Sequence, residues 1–356
     1  MAKTYGFGLL GAGLVAPFHA ESVKGSDGGR LVAVCDMSRE RADGLAAKYG
    51  VKAYYSLDEM LKDPAIDIVN VLTPNHLHYD AVMKCAAARK HVVTEKPPAM
   101  SLRETDEMVA ACAKADLKFA CTVQCRVRKA IQAMKRALAE GRFGKLLHAD
   151  TYMKWFRTAE YYHSDPWRSS RQSGAGVTVQ HAFHYIDLLQ YLAGPVKAVE
   201  AKMTNLAHPS VKLEDTLLAF ITYASGAQGV VQASTALWPG TDIRVELNGT
   251  DGTAIMMGER MVTWKFREEK PEDEQIRQYG SASQGTAATG PAAFGHADHQ
   301  VVIQDMIQAI RENREVIIPV SSVRPTLELV LAMYQSAARS RRVELPVKDD
   351  SSIWEM

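Results

Sequence analysis

The chain has 356 residues, more than a single hydrophobic core usually covers, so two domains are expected. Lys and Arg number 42 against 41 Asp and Glu, and no block of like charges could track a nucleic-acid backbone or an anionic membrane. No apolar run reaches the roughly 20 residues that span a bilayer. The opening "MAKTYGFGLLGAG" lacks the regions of a signal peptide and a twin-arginine pair, so a cytoplasmic protein is expected.

In chain order, β-rich runs alternate with helical patterns over residues 5–122, as a doubly wound parallel sheet requires. The strands are "YGFGLLG", "LVAVCD", "KAYY", "DIVNVLT", "HVVTE" and "KFACTV". Amphipathic helices such as "MSRERADGLAAKYG" and "YDAVMKCAAARK" lie between them. The rhythm changes near residue 125. A helix, "RKAIQAMKRALAEGRFG", leads into a strand, "LLHADTYMKWF", and an irregular segment. A helix over about 176–193 stops at Gly194 and Pro195.

Six strand-like runs between 196 and 266 then predict a largely antiparallel open sheet. Residues 268–294 read as a mobile loop or excursion. Two helices close the chain, "HADHQVVIQDMIQAIREN" and "RPTLELVLAMYQSAARS". The expected fold is therefore α/β: a Rossmann domain over 1–123, and over 124–356 a second α/β domain with a large, mainly antiparallel open sheet. The five cysteines all fall within the first 125 residues, never as C-x-x-C, and read as ordinary buried thiols.

Gly11, Gly13 and Ala16 stand in G-x-G-x-x-A spacing at the first strand-to-helix turn. Such a turn admits backbone amides to a pyrophosphate at a helix N-terminus, and Leu14 and Val15 within it are assigned to the cofactor as well. The second strand ends at Asp36, where a carboxylate accepts from the adenine-ribose hydroxyls and repels a 2′-phosphate. NAD is expected. NADP stays open because Arg39 and Arg41 could compensate a phosphate, and a plain helix-capping role is the alternative for Asp36.

With these residues in place, "VLTPNHLHYDAV", "HVVTEKP" and "SGAGVTVQHAFHYIDLLQYLAGP" resemble the Gfo/Idh/MocA family, named for glucose-fructose oxidoreductase and inositol dehydrogenase. The resemblance spans about residues 5–195 closely and the remainder loosely. It implies a Rossmann domain followed by an α/β domain whose open sheet serves as an oligomer interface, here in a dimer or tetramer. It also implies oxidation of a secondary hydroxyl on a sugar, polyol or sugar derivative, or reduction of the matching ketone, with hydride passing to or from nicotinamide.

By position, Thr73, Asn75 and His78 correspond to the loop beside the cofactor ribose and nicotinamide. Glu95 and Lys96 correspond to the E-K-P signature, and Gln124 is placed with them. An ammonium at Lys96 would stabilise alkoxide character; a solvated surface lysine is the alternative. His184 corresponds to the general acid/base, a role that suits an imidazole pKa.

On an ideal helix Gln180, His184 and Asp187 share one arc of about 60°. Asp187 matches an acid near the substrate. Gln180 stands where inositol dehydrogenase-like members carry Asp, which weakens assignment to that activity. His181 is a substrate contact or a packing residue. No metal site is expected from the pair, because its i, i+3 spacing lacks an H-E-x-x-H motif and hydride transfer needs no metal.

Arg126, Tyr162, Trp167 and Arg168 are candidate substrate contacts, with stacking and hydroxyl or carboxylate binding as their chemistry and ordinary packing or a surface charge as the alternative for each. His299 either approaches the site or serves as a cap or surface residue. The expected activity is that of an NAD-dependent sugar or polyol dehydrogenase. An NADPH-dependent keto-sugar reductase and a non-catalytic nicotinamide-binding sensor are the alternatives.

Overall fold

The first region of the chain alternates β1 (Tyr5–Leu10), α1 (Ala16–Lys24), β2 (Gly29–Cys35), α2 (Arg39–Tyr49), β3 (Lys52–Tyr54), α3 (Leu57–Met60), β4 (Ile68–Val71), α4 (His78–Ala87), β5 (His91–Thr94), α5 (Leu102–Lys114) and β6 (Phe119–Cys121). There follow α6 (Lys129–Ala139), β7 (Leu146–Lys154), α7 (Ala159–His163), α8 (Phe183–Ala193) and β8 (Val196–Thr204). Next come β9 (Thr216–Tyr223), β10 (Gln228–Ser234), β11 (Arg244–Gly249), β12 (Gly252–Met257), β13 (Arg260–Phe266) and α9 (Asp273–Arg277). The last elements are α10 (Ala297–Glu312), α11 (Val320–Arg339) and β14 (Val343–Glu344). This computed structural model describes residues 3–280, 295–348 and 354.

The chain divides into two compact units, Met1–Gln124 with Gly295–Arg324 and Cys125–Phe294 with Pro325–Met356. A single boundary after residue 123 does not describe this arrangement. Helix α10 returns to the first unit, where it packs on α1. Its buried stripe of Val302, Ile303, Met306 and Ile307 gives the hydrophobic reason, since a helix with one apolar face must cover another.

The first unit carries a six-stranded sheet in the order β3-β2-β1-β4-β5-β6, and its strand pairs are parallel. All of β1 and β4 is buried, as expected when helices cover both faces. The order reverses between β1 and β4, so the crevice beyond their carboxyl ends is where such sheets bind ligands. All five cysteines are buried thiols outside any disulfide, and burial pushes the Cys35, Cys85 and Cys112 thiols up to about 12.

The second unit carries an eight-stranded sheet ordered β13-β12-β11-β7-β10-β9-β8-β14. Every pairing is antiparallel except β7 with β10. Strand β9 has the period of two that a half-buried sheet demands: Leu217, Ala219, Ile221 and Tyr223 point inward. Leu218 and Phe220 point outward, and Phe220 is 69% exposed.

Three expectations change here. The segment after 268 is not uniformly loop, because α9 is pinned by Asp273, which accepts from both Arg142 Nη1 and Nη2 at 2.7 Å and from Trp264 Nε1 at 2.6 Å. The rest of that expectation, residues 281–294, lies outside the described residues. Helix α11 begins at Val320, ahead of Arg324, and takes Pro325 into its interior. The expected helix over 176–193 is split: Val177–His181 is a π-helical turn, and the α-helix starts only at Phe183.

Candidate functional site

At the switch point of the first unit, Gly11 adopts φ +105°, and a Cβ there would lie 2.7 Å from the Leu72 carbonyl. Only glycine fits such a left-handed, crowded position. Gly13 differs: a Cβ on it would meet nothing within 4 Å, so the turn leaves open space above its backbone. Val15 caps α1 without a side-chain hydrogen bond, and Leu14 is 41% exposed beside it. Exposed amides at a helix N-terminus suit an anion.

Asp36 closes this end. Its Oδ2 accepts from Ala12 N at 2.8 Å, and its Oδ1 accepts from Ser38 N at 2.8 Å. The cap of α2 is Ser38, whose hydroxyl accepts from Arg41 N, so Asp36 is not spent as that cap. Arg39 lies over the Tyr55 ring at 4.1 Å.

Further along the same edge, Thr73 Oγ1 and Gln124 Oε1 are buried with no hydrogen-bond partner among the described residues. Asn75 is buried in the short turn before α4. His78 braces this loop: its Nδ1 is 2.8 Å from Pro97 O and its Nε2 is 2.9 Å from Thr73 O. Burial pushes the His78 pKa down, so the neutral ring donates to one carbonyl at a time. Its observed partners are backbone groups.

Lys96 lies two residues beyond β5 and is only 8% exposed, so it is not a solvated surface lysine. Its backbone N donates to Glu95 Oε2 at 3.3 Å. Glu95 Oε1 accepts from Thr122 Oγ1 at 2.8 Å and lies 2.9 Å from His19 Nε2. Glycine-turn amides, an acid after β2 and buried polar atoms awaiting partners at the sheet edge fit a dinucleotide.

The second unit holds the other candidates. Gly176 has φ +118°, and a Cβ on it would strike Glu214 Oε1 at 2.3 Å. This glycine opens the π-helical turn, in which Ala182 N donates to Val177 O. The extra residue per turn alters the angular relation of Gln180 to His184 from the ideal-helix value. Both side chains are half-buried. Glu214 supports the turn, accepting from Thr178 N at 3.2 Å and from Tyr334 OH at 2.6 Å. Burial raises its carboxyl.

Four expected contacts have other neighbours. Asp187 is fully buried, accepting from Arg126 Nε at 2.7 Å, Arg126 Nη2 at 2.6 Å and Thr326 Oγ1 at 2.8 Å. The two charges expected to meet substrate are therefore paired with each other. Tyr162 is buried with its hydroxyl 2.6 Å from Thr235 Oγ1, in a small core with Ala175, Val211 and Leu213. His181 packs edge-on to Trp155 at 6.2 Å and against Tyr161 at 5.5 Å. Trp167 and Arg168 stay half-buried, with the guanidinium 4.8 Å from the Trp167 ring and donating to Tyr161 OH at 2.9 Å.

Sequence reasoning left out His19, Asn70, Thr122 and Glu214, whose environments are set by long-range packing. His299, expected either to approach the site or to serve as a cap or surface residue, is 3% exposed, in the first turn of α10.

Comparison with known proteins agrees with this layout. Residues 5–123 match the "Oxidoreductase family, NAD-binding Rossmann fold", and residues 131–255 match the "GFO/IDH/MocA C-terminal domain". The chain is 29% identical over 270 residues to myo-inositol 2-dehydrogenase of Thermotoga maritima, covering 74% of this chain and 78% of that one. It is 30% identical over 263 residues to 1,5-anhydro-D-fructose reductase of Ensifer adhaerens, covering 73% and 77%. The crystal structure of the WlbA dehydrogenase from Bordetella pertussis, in complex with NADH and UDP-GlcNAcA, superposes with a TM-score of 0.86 at 29% identity, covering 97% of this chain and 100% of that one. The glycine turn, the E-K-P sequence and both matched regions make this chain a member of the Gfo/Idh/MocA family, with an NAD-binding Rossmann domain at its N-terminus.

Proposed function

We propose that this chain is an NAD-dependent dehydrogenase that interconverts a secondary hydroxyl and a ketone on a sugar, polyol or sugar derivative. The observation that carries the reading is Lys96, a buried ammonium fixed at the carboxyl end of β5, on the same sheet edge as the glycine turn. The sugar and cyclitol chemistry in the relatives' names supports the substrate class.

The bound cofactor supplies a hydride acceptor at its nicotinamide C4. Around it, Gly11, Gly13, Leu14 and Val15 present backbone to the pyrophosphate, and Asp36 takes the adenine ribose. Thr73 Oγ1 and Gln124 Oε1 offer their unused hydrogen-bonding capacity to the nicotinamide half, with Asn75 two residues beyond Thr73 and Glu95 directly after β5 as further cofactor contacts. His184 would take the proton from the substrate hydroxyl, and the Lys96 ammonium would stabilise the alkoxide character left on that oxygen. Gln180 binds a neighbouring hydroxyl, and Trp167 and Arg168 offer a stacking and hydrogen-bonding surface. A screen of NAD reduction over inositols, monosaccharides, anhydrosugars and sugar nucleotides tests this; absence of turnover on every class, with NAD bound, would favour a sensor instead.

Asp36 makes the cofactor choice testable. Replacing Asp36 with serine should raise kcat/KM for NADP by roughly tenfold or more, because a 2′-phosphate no longer meets a carboxylate. Kinetics with each dinucleotide check this, and an unchanged NAD to NADP ratio would sink it.

The outward Leu218 and Phe220 on β9 support assembly of identical chains through this sheet face, since exposed apolar patches mark interaction surfaces. The Phe220→Asp protein should run at a smaller size than the parent in light scattering. Equal masses would remove the β9 face from the interface.

A further inference from the structure

Glu95 is held from several sides within the first unit. Beyond the contacts of His19, Thr122 and the Lys96 amide, His299 Nε2 lies 3.9 Å from Glu95 Oε1. The His19 and His299 rings meet edge to face at 5.2 Å, and His19 is fully buried. Asn70 Nδ2 is 3.0 Å from His19 Nδ1. An amide N–H directed at Nδ1 makes that nitrogen the acceptor and puts the ring proton on Nε2, aimed at Glu95.

The ligand atoms of His19, Glu95 and His299 lie within 4.8 Å of one another, close enough to suggest a divalent cation. Yet Glu95 Oε1 already faces two donors, His19 Nε2 and Thr122 Oγ1, which occupy its lone pairs. Proton-mediated bonds account for the cluster as it stands.

We propose that His19 and His299 are positioning residues: they hold the buried Glu95 carboxylate against the Lys96 backbone amide and thereby fix the direction of the Lys96 ammonium. The inference rests on the catalytic reading of Lys96. It assigns a function to two histidines, from α1 and α10, that need not touch substrate or cofactor.

A buried carboxylate persists only if its desolvation is offset. Burial works to raise the Glu95 carboxyl, but the hydrogen bond from His19, the neighbouring His299 ring and the Lys96 ammonium override it and hold it well below the usual carboxylate range. His78, at the start of α4, also senses the Glu95 charge, so the groups facing this carboxylate are His19, His299, His78 and Lys96. Removing the His19 donor weakens the ionised form. Glu95 should then take up a proton as pH falls, releasing the Lys96 amide.

The test compares His19→Leu, His19→Gln, His299→Leu and Lys96→Ala in the full chain. Readouts are kcat, polyol KM, NAD affinity, Tm and the pH profile of kcat. His19→Leu should lose roughly 10- to 100-fold in kcat, the worth of one hydrogen bond to a charged group. NAD affinity should hold, and the acid limb of kcat should move towards higher pH as Glu95 loses the donor that keeps it ionised. His19→Gln, whose amide N–H reaches towards the same oxygen, should recover most of the kcat and return the limb towards the parent. His299→Leu should shift both in the same direction by less, and it carries the test if His19→Leu does not fold. Parent-like kcat and acid limb in the leucine variants, or equal impairment of His19→Gln and His19→Leu, would overturn the positioning role. Full activity of Lys96→Ala would instead remove the reading on which it rests.

Discussion

Replacing Lys96 or His184 with alanine is expected to lower kcat by roughly 10²- to 10⁴-fold while leaving NAD affinity close to the parent's. The two losses have different chemical signatures. Without the Lys96 ammonium, the developing alkoxide loses a donor aimed at its charge, and no choice of pH restores it. Without the His184 imidazole, the hydroxyl proton has no positioned acceptor, so hydroxide or an added small base recovers part of the rate. Rising activity of the His184→Ala protein with pH or with imidazole, beside a flat, low response of Lys96→Ala, would separate the roles. Parent-like turnover of either variant on every accepted polyol would end its catalytic assignment.

The elements around these residues differ in how legible they were in the sequence. The strands from β1 to β6 followed from short β-rich runs punctuated by helices, because a parallel sheet buried on both faces leaves a local signature. The glycine turn was legible too, since Gly11 answers to a steric demand that involves only its own turn and the adjoining strand end. Helix α10 was legible as a helix but not as a part of the first unit: its apolar stripe says that it packs, not on what. The π-helical turn at Val177–His181 was hidden for a related reason. Its extra residue is accommodated by Gly176 against Glu214 and by the Glu214 bond to Tyr334, from residues distant in sequence. Helical periodicity therefore placed Gln180 and His184 on one face with a precision that the backbone does not keep.

Asp187 carries the second large expectation, and it concerns stability. Motif position suggested a substrate contact for Asp187 and for Arg126, but each is enclosed in the second unit and bonded to the other through two short hydrogen bonds. Tyr191 adds its ring 5.0 Å from the guanidinium, and Thr326 donates to the carboxylate. Such a pair contributes little net stability when intact, because desolvating both charges offsets their attraction. Breaking it on one side is another matter. Asp187→Ala leaves the Arg126 guanidinium buried without its carboxylate, at a cost of about 3–5 kcal/mol. A fall of several degrees in Tm is the expected reading, since each kcal/mol is worth about 2–4 °C in a domain of this size. The double replacement Arg126→Met with Asp187→Leu removes both charges together and should recover much of that loss, as hydrophobic replacements of buried ion pairs often do. A substrate-binding pair would behave oppositely: single variants would raise polyol KM at unchanged Tm, and the double variant would bind worse than either. Thermal unfolding and steady-state kinetics on the three proteins distinguish the two. Recovery of Tm in the double variant would establish that this pair serves the packing of the second unit instead of reading the substrate.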